Sequence, residues 1–81
     1  NDAMADIKEM NAAIESRNTR DVFELAHKIK GAAANLRLAD IKELALAIEK
    51  NARDGVSDFD YALFSKKLAD AILKIHLEDL E

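Results

Sequence analysis

The sequence predicts an all-α protein, folded as an antiparallel up-down-up-down four-helix bundle. Strong helix formers (Ala, Leu, Glu and Lys) are abundant, while the chain has no proline and only two glycines. Apolar residues recur every three or four positions in four successive segments, which is the spacing of amphipathic helices. Because the turns between these segments are short, neighbouring helices are expected to pack antiparallel.

The composition restricts the classes of function. The 81 residues suffice for one domain, 1–81, and the start at Asn1 rather than Met predicts a domain excised from a longer chain. A net charge of −4 and the absence of a basic cluster argue against nucleic acid as a partner. No apolar run approaches the roughly 20 residues that span a bilayer, so no membrane contact is expected.

The first helix is expected over about residues 5–16, with Asp6 on its polar side. Its apolar stripe comprises Ala3, Ile7, Met10 and Ile14. After a short break, Asn18 or Thr19 can cap the second helix. At about 100° per residue, one face of this helix is apolar and directed to the core. That face comprises Val22, Leu25, Ala26, Ile29, Ala33 and Leu36.

The third and fourth helices follow the same pattern. Asp40 with Glu43 resembles a capping box at the start of the third helix, and Gly55 is placed to end it in a left-handed conformation. The buried stripe comprises Ile41, Leu44, Ala45, Ile48 and Ala52. Ser57 and Asp60 fit a start signal, S-x-x-D, for the fourth helix. Its core stripe comprises Tyr61, Phe64, Leu68, Ala71, Ile72 and Ile75.

The second helix carries a histidine on the side that should face water. By helical geometry His27 lies roughly 150° from the centre of the apolar stripe. A neutral imidazole can act as a nucleophile, and Lys30, one turn further on, can neutralise phosphoryl charge. Gly31 costs about 1 kcal/mol relative to alanine inside a helix, so it indicates a point where another molecule approaches the backbone.

These residues resemble a known signature. Ala26-His27-Lys28-Ile29-Lys30-Gly31, followed by Ala-Ala-Ala-Asn-Leu, resembles the A-H-x-L-K-G-(S/A)-(S/A) motif of histidine-containing phosphotransfer (HPt) domains, with Ile29 in place of the usual leucine. Leu44 and Ile48-Glu49 match the L…LE continuation of that family. Arg37 stands where many members have glycine. A left-handed turn there would cost about 1 kcal/mol, unless the helix ends differently.

The resemblance implies a role in phosphorelay signalling. His27 would accept a phosphoryl group from the aspartate of a response-regulator receiver domain and pass it to another receiver, with Lys30 stabilising the phosphoryl group. The docking surface would comprise Arg20, Phe23, Gly31, Ala34 and Asn35. The domain would be a carrier rather than an enzyme. It would bind no cofactor or metal, since the divalent metal belongs to the receiver. A cytoplasmic location is expected, alone or as part of a membrane sensor kinase.

Three alternatives remain open from the residues. A histidine-kinase dimerisation domain normally has an acidic residue after the histidine, where Lys28 stands here. A di-iron bundle would use Glu24-x-x-His27, but it needs two such motifs facing inward. A non-catalytic interaction or dimerisation bundle is favoured by a second apolar stripe on the fourth helix. This self-association seam comprises Leu73, Leu77 and Leu80.

Overall fold

The computed structural model describes the backbone of residues 2–79 and the side chains of residues 5–75. It contains four helices and, in that range, no strand: α1 (Asp2–Glu15), α2 (Thr19–Asn35), α3 (Ala39–Arg53) and α4 (Tyr61–Asp79). Each helix packs against the next, and α1 packs against α4. Across the described residues the helices therefore form a ring in which α2 and α4 lie at opposite corners. The predicted all-α bundle is confirmed.

The interior is formed by the predicted apolar stripes. Met10, Val22, Ile48 and Leu68 are fully buried, so each helix supplies one large side chain to the centre. The buried residues of α2 and α3 include four alanines: Ala26, Ala33, Ala45 and Ala52. Small side chains let two helices approach closely, so α2 and α3 share the most extensive contact of the bundle.

The assignment of Leu36 to the core face is wrong. Leu36 is 68% exposed, whereas Val22, Ala26, Ile29 and Ala33 are buried as predicted. The physical reason is local, because α2 ends at Asn35 and Leu36 is its C-cap residue. The turn of about 100° per residue no longer applies beyond the last helical residue.

Three helices end in the same left-handed turn. Arg17, Arg37 and Gly55 have φ values of 57°, 58° and 70°. In each case the next residue donates its backbone N–H to the carbonyl five positions earlier, the Schellman arrangement. The prediction for Gly55 is confirmed, and Arg37 adopts the left-handed conformation that glycine favours. Arginine tolerates this conformation at a cost of about 1 kcal/mol.

The helix starts differ in part from those predicted. Asn18 caps α2, since its side-chain oxygen accepts from the backbone N–H of Asp21 at 3.2 Å. The capping box at Asp40 is wrong, because the N-cap of α3 is Leu38 and Asp40 lies inside the first turn. The cap of α4 is Asp60 rather than Ser57. The Asp60 carboxylate accepts from the N–H of Leu63 at 3.0 Å, and the helix begins at Tyr61.

Two polar side-chain contacts join α1 to its neighbours in the bundle. Asp6, expected on the polar side of α1, is buried, and its carboxylate accepts from the Lys28 ammonium on α2 at 3.2 Å. The Ser65 hydroxyl on α4 is also buried and donates to the Asn11 side chain on α1 at 2.6 Å. A polar residue at the edge of a stripe can thus turn inward when a neighbouring helix supplies its partner.

The seam predicted for self-association begins on α4. Leu73 is exposed, while the side chains of Leu77 and Leu80 lie outside the described residues. Self-association through this seam stays a prediction. Within the described residues, no helix has the length and apolar character needed to cross a membrane.

Candidate functional site

His27 lies near the middle of α2 on the face opposite the core. Its side chain is 66% exposed, as the helical geometry predicts. The helix is held down by the buried residues one position before and two positions after it, Ala26 and Ile29. The imidazole is therefore carried on a rigid element and remains accessible to another protein.

A carboxylate from the neighbouring helix holds both His27 and Lys30. One oxygen of Glu49, Oε2, lies 2.5 Å from Nδ1 of His27. The other, Oε1, accepts from the Lys30 ammonium at 2.6 Å. The Glu49 side chain is only 8% exposed, although His27 beside it is largely open to solvent. A single carboxylate of α3 thus fixes the two side chains of α2 that the sequence singles out.

Sequence reasoning missed the role of Glu49, which entered only as part of a family motif. Glu49 is 22 residues from His27, so no local spacing links the two. A signal was nevertheless present. Glu49 lies between Ile48 and Ala52, and both of these belong to the buried stripe of α3. A charged residue at the edge of a core stripe needs a partner from an adjacent helix.

The charge of Glu49 determines which ring nitrogen of His27 carries the proton. Burial alone would raise the pKa of Glu49, but hydrogen bonds from Lys30 and His27 and their charges hold that pKa below its ordinary value of 4.5. The carboxylate is therefore ionised at neutral pH and can only accept hydrogen bonds. It follows that Nδ1 of His27 is the protonated nitrogen. In the neutral ring, Nε2 then carries the free lone pair.

The other predicted docking residues differ in how closely they surround the imidazole. The Phe23 ring stacks on His27 with ring centroids 6.1 Å apart and an interplanar angle of 15°. Gly31 and Ala34 are exposed on the same face. Arg20 is about 10 Å away along the helix axis and lies 3.7 Å from Glu24 in an ion pair. Asn35 is at the C-terminal end of α2, about 12 Å from His27 along the axis.

Gly31 has no structural role that the domain itself explains. A Cβ atom built at this position would meet nothing within 4 Å. Its backbone is helical, so the left-handed freedom of glycine is not used. The helix would therefore tolerate alanine at this position.

The contacts of Glu24 and His27 do not fit the di-iron alternative. Glu24 of the Glu-x-x-His motif is exposed and paired with Arg20, while Nδ1 of His27 is occupied by Glu49. Among the described residues there is no group of three or more His, Cys, Asp or Glu side chains that could hold a metal ion. The arrangement is that of an exposed imidazole oriented by a carboxylate, beside a lysine.

Comparison with known proteins gives one family. A family model described as Hpt domain matches residues 1–81, which is the whole chain. Neither the curated proteins nor the solved structures include a significant match.

Proposed function

The chain belongs to the Hpt domain family, whose members carry phosphoryl groups in phosphorelay signalling, and we propose that His27 is its phosphoacceptor. The observation that supports this most directly is the orientation of the imidazole. With Nδ1 held by Glu49, the free lone pair of Nε2 lies on the ring edge away from α3. This nitrogen would be the nucleophile.

In the proposed step, the Nε2 lone pair attacks the phosphorus of an aspartyl phosphate on a receiver domain. The N–P bond forms while the P–O bond to the aspartate breaks, and the aspartate carboxylate leaves with the bonding electrons. Nδ1 keeps its proton, so the phosphorylated ring acquires a positive charge. The ionised Glu49 carboxylate stabilises that charge at 2.5 Å. The reverse step passes the phosphoryl group to a second receiver.

Lys30 would stabilise the transferred group. Its ammonium has three N–H donors and uses one on Glu49 in this structure. The remaining donors can reach oxygens of a phosphoryl group on Nε2, one helical turn away. The transition state of phosphoryl transfer carries charge on its equatorial oxygens, so a positioned cation lowers the barrier.

The proposed partners are response-regulator receiver domains, which contact the surface of Phe23, Gly31 and Ala34, with Arg20 and Asn35 at its ends. The divalent metal is assigned to the receiver and no cofactor to this chain. Hpt domains are carriers rather than independent enzymes. This domain accordingly supplies the nucleophile, its orientation and a docking surface.

The test is transfer of labelled phosphoryl from a phosphorylated receiver domain. The wild-type chain is expected to become labelled, and His27→Gln to remain unlabelled while keeping its helical content. Lys30→Met is expected to accept label more slowly with the fold retained. Undiminished labelling of His27→Gln contradicts the proposal. A wild-type chain that never takes label but sediments as a dimer favours the interaction bundle instead.

A further inference from the structure

The charges on the two sides of His27 have opposite sign. One flank of α2 faces α1, and the groove between these helices is lined by Glu9, Asp21 and Glu24. Lys28 lies in the same groove, but its ammonium is bonded to the Asp6 carboxylate. The α1 flank of the histidine is therefore acidic.

The other flank of α2 faces α3, and its exposed charges nearest Glu49 are net positive, because Lys42 remains when Arg53 is paired with the adjacent Asp54. Glu49 marks the side of α3 that faces His27. At about 100° per residue, the residues within about 60° of Glu49 around the helix axis include Lys42, Leu46 and Arg53. All three are exposed, and Leu46 is 45% accessible. Arg53 contacts only the adjacent Asp54, at 3.4 Å, among the described residues. We name Lys42, Leu46 and Arg53 the α3 strip.

The α3 strip is continuous with the histidine. Glu49 contacts His27, and Leu46 and Arg53 lie three residues before and four residues after Glu49. Each is thus about one turn, or 5.4 Å, along the axis from the carboxylate that holds the imidazole. A protein that places a phosphoryl group on Nε2 has to cover one or both flanks of α2, and the α3 strip is the nearer part of one flank.

We propose that the α3 strip is the second half of the docking surface, and that the receiver bound there has an acidic rim with an apolar side chain opposite Leu46. This inference rests on the proposed phosphotransfer function. The incoming group is an anion, so the acidic α1 flank repels it and the α3 flank attracts it. Leu46 and the half-buried Phe23 add apolar surface on α3 and α2. Charge at the edge of an interface acts mainly on the rate of association.

The first experiment compares two charge reversals of equal size. Lys42→Glu/Arg53→Glu alters the α3 strip, and Lys66→Glu/Lys67→Glu alters exposed residues on α4, which does not contact α2. Transfer from a receiver domain that labels the wild-type chain is measured at about 0.05 M and about 0.5 M salt. The strip variant should lose about tenfold in apparent second-order rate constant at low salt and approach the wild type at high salt. The α4 variant should stay within about twofold.

The second experiment tests the apolar contact. Leu46→Ala is compared with Leu63→Ala, because the two leucines are 45% and 43% exposed but Leu63 lies on α4. Leu46→Ala should slow transfer by about fivefold, equivalent to about 1 kcal/mol, without changing the salt dependence. Leu63→Ala should have no effect on transfer.

Labelling by phosphoramidate, a small-molecule phosphoryl donor, separates docking from chemistry. Leu46→Ala should be labelled at His27 as fast as the wild type, since phosphoramidate needs no docking surface. Phosphoramidate is a small anion, so the charge reversal of the α3 strip should slow its labelling far less than it slows transfer from the receiver. Equal receiver-dependent rates for the strip and α4 reversals overturn the proposed surface while leaving His27 as phosphoacceptor. A wild-type chain that neither donor labels at His27 overturns the proposed function itself. Lys42→Gln/Arg53→Gln removes the two positive charges without adding repulsion, so its rate constant of transfer should fall by less than that of the charge reversal. Unchanged helical content of each variant verifies the fold.

Discussion

Replacing Gly31 by alanine should stabilise the domain and impair its function. Gly31 is the thirteenth residue of the 17-residue helix α2, well inside the helix, and an added Cβ would meet nothing within 4 Å. The helix should therefore gain about 1 kcal/mol in free energy of unfolding. For a domain of this size, that gain corresponds to an increase in Tm of about 4–8 °C.

The same methyl group would project into the docking surface. Gly31 lies one turn from His27 and about 40° around the helix from it, on the face that a receiver has to cover. In a close-packed interface, an added methyl must displace the partner or distort it. We expect the rate constant of transfer from a receiver to fall by about tenfold, equivalent to about 1.4 kcal/mol. Labelling by phosphoramidate should be unchanged.

Urea unfolding measures the stability, and labelled transfer from the receiver measures the function. The matched control is Ala32→Gly, an exposed position about 140° around the helix from His27. The double variant Gly31→Ala/Ala32→Gly should regain wild-type stability but keep the transfer defect. A lower unfolding free energy for Gly31→Ala would mean that the domain itself requires glycine there. An unchanged transfer rate would refute the argument that a partner approaches the backbone at Gly31.

Two further predictions concern Glu49 and the helix ends. Because the folded-state pKa of Glu49 is lowered, its stabilisation is present above the ordinary value of 4.5 and is lost as pH falls through the folded value. Glu49→Gln should thus lower the free energy of unfolding by about 1 kcal/mol at pH 7 and leave it unchanged in strong acid. A variant whose urea midpoint equals that of the wild type at both pH values would contradict this. The same variant should slow transfer about tenfold. Arg37→Gly should gain about 1 kcal/mol and Gly55→Ala lose a similar amount, because both positions have positive φ. Thermal unfolding of the two variants tests this prediction. A shift of Tm in the same direction for both variants would contradict it.

Local regularities account for the features that the sequence predicted correctly. The repeat of apolar residues along α2 was enough to assign Val22, Ala26, Ile29 and Ala33 to the core and His27 to solvent. Asn18 and Gly55 could be placed at helix ends because capping and left-handed turns depend on a few neighbouring residues. The errors at Leu36 and Asp40 occur where a helix ends or begins, and there the periodicity gives no information.

The tertiary structure alone decided which polar groups meet. Glu49 contacts His27 and Lys30 because α3 packs against α2, in the most extensive helix contact of the described residues. Asp6 became buried because Lys28 of another helix supplied its partner. Such contacts depend on which faces of two helices pack together, and a one-dimensional pattern does not encode that arrangement. The sequence by itself determined four helices and an exposed histidine. The packing of α3 on α2 determined how that histidine is oriented, through one buried carboxylate.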